Sequence, residues 1–100
     1  MPLENYFIHC YAHDCAREAI YKIASLWSDG VTSELKTYSL CCETCLADQF
    51  RVSLEKQAKC RTAPGETLES PHIYRLRHGQ RDRQLKRQID LEEKLLAARS

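Results

Sequence analysis

The sequence predicts a small α+β domain: a tight cysteine-bearing turn, a β-hairpin and a helix, with an additional helix at the C-terminus. Three observations carry this reading. Two runs with strand-like alternation flank the turn signal Ser28-Asp29-Gly30. From Cys45 onward the apolar period lengthens from that of a strand to that of a helix. The cysteines bracket the hairpin, with Cys10 and Cys15 before it and Cys41, Cys42 and Cys45 after it.

Taken in order, residues 1–8 are a short lead-in with Tyr6, Phe7 and Ile8 as its apolar part. His9-Cys10-Tyr11-Ala12-His13-Asp14-Cys15 is too polar and thiol-rich for a simple strand and reads as a turn. Ala19 to Trp27 has β-branched and aromatic character, with Tyr21, Ile23, Ser25 and Trp27 on one face. Ile20, Lys22, Ala24 and Leu26 fall on the other. Gly30 supplies a residue able to take positive φ in the turn. Glu34 to Leu40 then alternates, predicting Lys36, Tyr38 and Leu40 on one face and Leu35, Thr37 and Ser39 on the other.

A helix is predicted from Cys45 to about Lys59, with Leu46, Phe50, Leu54 and Ala58 as its apolar face and Ala47 beside it. Glu43, Thr44 and Asp48 at its start and Lys56, Lys59 and Arg61 at its end suit the helix dipole. Ala63-Pro64-Gly65 stops it. Thr67 to Ser70 reads as a loop, and Ile73 to Leu76 as a third strand against the hairpin. After His78-Gly79, residues 80–99 read as a second helix, rich in Gln, Arg, Lys, Glu, Leu and Ala. Leu85, Ile89 and Leu96 form its stripe, with Leu91 and Leu95 expected beside it. The organisation expected is a domain over residues 1–78 and a basic, amphipathic helix over 79–100.

One hundred residues bury a modest core, and the 43% hydrophobic content includes six cysteines. A staple is expected in a chain of this kind. The net charge of +1 implies no strong global field. Residues 1–70 carry 7 Lys/Arg against 10 Asp/Glu, net −3, whereas residues 71–100 carry 8 against 4, net +4. No apolar run is long enough to span a membrane. Met1-Pro2-Leu3-Glu4-Asn5 lacks the basic start of a secretory leader, so a cytoplasmic location with reduced thiols is expected.

Cys42-Glu43-Thr44-Cys45 is a C-x2-C pair at the start of a helix, where the dipole favours thiolates. Tetrahedral zinc takes four such ligands, and the upstream cluster offers the other two. Cys10 with Cys15 and Cys10 with His13 both remain open as that half-site; His9 and His13 can also stand behind the ligands or on the surface. The alternation would send Cys41 and Cys42 to opposite faces, which leaves Cys41 as an apolar filler. Cys60 is read as core filler too.

This order resembles the treble-clef zinc finger superfamily, with two ligands from a knuckle and two from the first turn of a helix. More narrowly, Cys15-Ala16-Arg17-Glu18-Ala19 with Leu40-Cys41-Cys42-Glu43-Thr44-Cys45 looks like four-cysteine modules written C-x2-C-G-[KR]-x-A, then L-C-x2-C, found in bacterial stress regulators among other places. The resemblance covers about residues 9–60. The chain departs from it in the Cys10-x4-Cys15 spacing, in Ala16 where Gly is expected and in the extra Cys41. The resemblance implies one structural Zn2+ held by Cys10, Cys15, Cys42 and Cys45, with His13 as a substitute. Four thiolates accept iron as well.

The function expected is an interaction or regulatory adaptor, not an enzyme. Its partner would be another protein, or a second copy, bound through the C-terminal helix. Two other classes compete with it. A strand followed by C-x-x-C at a helix start is also the thioredoxin-type redox arrangement, but a hairpin precedes it where that fold needs a βαβ unit. Nucleic-acid binding would use Arg75, Arg77, Arg81, Arg83, Lys86 and Arg87, although a pI near 7.6 is low for such proteins. His13, Asp14 and Glu18 form no hydrolase signature, glycine occurs only at positions 30, 65 and 79, and no small-molecule substrate is evident.

Overall fold

The structure is a computed structural model that describes residues 8–12, 15–76 and 85–99. It is a small α+β domain that has, among the described residues, five antiparallel strands and two helices. The elements are β1 (Tyr21–Ser28), β2 (Ser33–Cys41), α1 (Leu46–Lys59), β3 (Thr67–Leu68), β4 (His72–Arg75), β5 (Lys86–Arg87) and α2 (Ile89–Arg99). The sheet order is β2-β1-β4-β5, and β3 pairs with the far end of β1.

The hairpin forms where turn chemistry and alternation both direct it. Asp29 Oδ1 accepts the backbone N–H groups of Val31 at 2.8 Å and Thr32 at 2.7 Å, and Gly30 takes φ 91°. These bonds to the ionised form hold the Asp29 carboxyl below its ordinary range. β1 is central, and Tyr21 through Ser25 are all buried. Its partners are β2 on one side and β4 and β3 on the other.

The predicted alternation of β2 fails at one point. Tyr21, Ile23, Ser25 and Trp27 lie opposite Cys41, Ser39, Lys36 and Glu34. A register shift falls between Ile23 and Ala24, where Ser39 and Thr37 are the successive partners and Tyr38 is the extra residue. This bulge reverses the alternation. Lys36 therefore shares the face of Ser39, and Leu40 shares the face of Leu35 and Thr37.

α1 lies on the face of Tyr21 and Ile23, as the Ser39 hydroxyl donates to Gln49 Oε1 at 2.7 Å. The core unites Cys10, Tyr21, Ile23, Cys41, Cys42, Leu46, Phe50 and Ile73. The buried side of α1 runs Leu46, Phe50 and Ser53, while Leu54 is half-buried and Ala58 is exposed. At ~100° per residue, a strict step of four drifts off the buried face, which carries Ala58 to solvent. Cys60, expected in the core, is exposed: it follows the last helical turn in an extended conformation.

The C-terminal part departs most from expectation. Thr67–Leu68 is a short strand rather than loop, and Lys86–Arg87 is a strand rather than helix. Residues 80–84 of the predicted second helix lie outside the described residues. α2 begins only at Ile89. Leu91 and Leu95 pack against the core, while Ile89 and Leu96 are exposed. They are therefore on opposite sides of α2, not side by side, as an angle of about 200° between positions 89 and 91 requires. No described helix is long and apolar enough to cross a membrane.

Candidate metal centre

The segments 8–12 and 15–19 lie against each other. The Ala19 N–H donates to the Ile8 carbonyl at 2.7 Å and the Cys10 N–H to that of Arg17 at 2.9 Å, with His9 bridged to Glu18. The Cys15 N–H donates to the Ala12 carbonyl at 3.1 Å. Two further bonds dock this knuckle on the end of the hairpin. The Tyr11 N–H donates to the Leu40 carbonyl at 2.8 Å, and the Ile20 N–H to the Cys41 carbonyl at 2.9 Å. Nothing in the sequence marks the Tyr11 contact, because a backbone donor carries no side-chain signature.

Beyond Cys41 the chain turns into α1. The Leu46 N–H reaches the Glu43 carbonyl at 3.3 Å, and Gln49 reaches that of Cys45 at 2.9 Å, with Cys45 as the residue capping the helix. Knuckle and helix start thus meet, and the Sγ atoms of Cys10, Cys15, Cys42 and Cys45 all lie within 4.8 Å of one another. Cys15 and Cys42 are 3.7 Å apart. Four sulfurs bound tetrahedrally at ~2.3 Å from one zinc would stand roughly 3.8 Å apart, so this donor set fits such an ion. The four cysteines are positioned to bind a metal ion. Cys10 and Cys42 are buried, and Cys15 and Cys45 are half-buried.

Hydrogen bonds among the thiols shift their proton affinities in opposite directions. Burial pushes Cys42 up, but hydrogen bonds from the Cys45 backbone N–H and from the thiols of Cys45, Cys15 and Cys10 outweigh it and bring it down to about 7. Cys45 is pushed up to about 12, chiefly by its hydrogen bond to Cys42 and then by burial. The Arg17 N–H pulls Cys15 down, yet burial and its bonds to Cys42 and Cys10 leave it raised. Within this cluster Cys42 is held toward its thiolate, while Cys45 and Cys15 are held toward their thiols. A cation is what allows the other protons to leave.

The described residues among the remaining candidates do not join the four-cysteine cluster. Cys41 is wholly buried and burial pushes it up to about 12, the behaviour of an apolar filler. His9 is exposed; His13 and Asp14 lie outside the described residues. Of the basic set, Arg77, Arg81 and Arg83 are also outside them. Arg75 lies opposite both Tyr21 and Lys86, with its guanidinium 5.6 Å from the Tyr21 ring centroid. Arg87 is turned away from that pair and clamps Glu92. The chain matches no protein-family model, no curated protein and no solved structure.

Proposed function

We propose that this chain is a small structural zinc protein that acts as an interaction or regulatory adaptor. One Zn2+ is held by Cys10, Cys15, Cys42 and Cys45 in a treble-clef-like arrangement. The single observation behind this reading is the convergence of four sulfurs from a knuckle and a helix start. Four sulfurs, rather than two, favour a closed metal site over a C-x-x-C redox pair. The role of the metal is structural: all four donors come from the protein and no position is left for a substrate. Zinc in finger peptides supplies ~10–16 kcal/mol, more than the net stability of many small domains.

The outer side of α2 supports the adaptor reading, since Ile89 and Leu96 are exposed there two turns apart. Metal analysis of the purified chain is expected to give one zinc per chain and a colourless protein. A strong chelator is expected to abolish the near-UV circular dichroism. A metal-free chain with an unchanged spectrum would overturn the metal reading. Unaltered partner binding in Ile89→Asp would overturn the role of α2.

A second reading rests on Arg75 and Lys86. They face each other across β4 and β5, where like charges repel, and among the described residues neither has a carboxylate partner. A nucleic-acid phosphate would neutralise them. Oligonucleotide binding that weakens with salt and is lost in Arg75→Gln/Lys86→Gln is the expected result. Binding unchanged in that variant would sink it.

A further inference from the structure

Among the described residues, nothing pairs with the outer edge of β2 between Ser33 and Thr37. β2 ends the sheet, and its only strand partner among the described residues is β1. The Leu26 carbonyl accepts the Glu69 N–H at 2.9 Å and so points away from β2. Leu35, directly opposite Leu26, therefore directs its own N–H and C=O away from β1. By alternation Ser33 and Thr37 do the same. At one end of this window the Tyr11 N–H occupies the Leu40 carbonyl; at the other the Asp29 turn begins.

We propose that a second copy of this chain pairs with this window, β2 against β2, antiparallel and centred on Leu35. A two-fold axis there puts Ser33 of one copy opposite Thr37 of the other and Leu35 opposite Leu35. All three facing pairs are of the type that exchanges two hydrogen bonds. It also puts Glu34 opposite Lys36 of the second copy, and Lys36 opposite its Glu34. Both side chains are exposed, and among the described residues neither takes part in an ion pair. Moving the axis by one residue would set Glu34 against Glu34 or Lys36 against Lys36, so charge selects the Leu35 register.

The two faces agree with this choice. On the face away from α1, Leu26 and Leu35 would meet Leu35 and Leu26 of the second copy in one apolar row. On the other face, Lys36 Nζ sits 5.6 Å from the Trp27 ring centroid, and Trp27 is the cross-strand partner of Glu34. A lysine on an edge strand ordinarily blocks pairing. In this register it is matched instead. The two copies would share one continuous antiparallel sheet with an isologous interface.

Sedimentation velocity on the full chain, from micromolar to about millimolar concentration, tests the proposal. The expected result is a mass rising from 11.6 kDa toward twice that value. Lys36→Glu and Glu34→Lys are each expected to raise the dissociation constant by roughly tenfold or more. The double variant Glu34→Lys/Lys36→Glu is expected to bring it back to within about threefold of the parent, since both cross-strand pairs are re-formed. In parallel, amide exchange at Ser33, Leu35 and Thr37 should slow as concentration rises. A monomer at every concentration overturns the proposal. So does a dimer indifferent to the single charge changes, or one that the double change fails to restore.

Discussion

The Glu92 carboxylate accepts the backbone N–H of Ile73 at 2.9 Å, across 19 residues of chain, and is itself only 4% exposed. Arg87 holds the same carboxylate in a fork, Nε to Oε2 at 2.9 Å and Nη2 to Oε1 at 2.8 Å. Beside it the Gln88 N–H donates to the Ile73 carbonyl at 2.7 Å. Where β5 stops, a side chain from α2 thus continues the pairing of β4. Glu92→Ala would leave the Ile73 N–H buried without an acceptor, a loss of about 1–3 kcal/mol. Denaturant unfolding should show a lower midpoint at unchanged slope, and Arg87→Ala in the Glu92→Ala background should add little further loss.

The six cysteines should separate into two groups. Cys42→Ser removes one of four converging sulfurs and is expected to abolish stoichiometric metal uptake. Cys41→Ala is expected to keep one metal per chain while lowering stability by about 0.5–3 kcal/mol, because it empties a fully buried position. Cys60→Ser, at an exposed site, should change neither, within about 0.5 kcal/mol. Metal analysis and unfolding on the same three samples check all of this.

Ser25 is fully buried on β1, and its hydroxyl has no hydrogen-bond partner among the described residues. Removing such a group removes its desolvation cost, so Ser25→Ala is expected to stabilise the fold by about 1 kcal/mol. A lower unfolding midpoint would show that the hydroxyl is satisfied in solution.

The hairpin turn should be acid-sensitive. The folded carboxyl of Asp29 titrates below its ordinary 3.8 because its bonds to Val31 and Thr32 favour the ionised form. Its contribution is then fully present above 3.8 and is lost as pH falls through the lower folded value. Asp29→Asn should be less stable than the parent at neutral pH, and the difference should shrink in acid. A gap in unfolding midpoint that stays constant with pH would contradict this.

Much of the domain is legible in the order of its residues. The Ser28-Asp29-Gly30 turn, the strands around it, the helix from the Cys45 region and the strand near Ile73 all follow from local rules: side-chain period, turn chemistry and capping. The burial of Cys41 is readable from the C-x2-C spacing, which gives Cys42 and Cys45 to the metal and leaves Cys41 as a filler. What escapes such reading is non-local. The bulge at Tyr38 depends on how β2 must fit β1, and no residue type announces it. Glu92 looks like one more helix acid along the chain, because its acceptor role exists only once Ile73 is beside it.

By itself, the sequence determined that two cysteine groups flank a hairpin and that one of them opens a helix, since spacing and period are properties of neighbours along the chain. Only the tertiary structure decided that Cys15 and Cys42, 27 positions apart, stand 3.7 Å from each other. That meeting depends on the Tyr11 and Ile20 N–H groups docking the knuckle onto Leu40 and Cys41. Backbone hydrogen bonds between distant segments set it, and any residue but proline could supply their N–H.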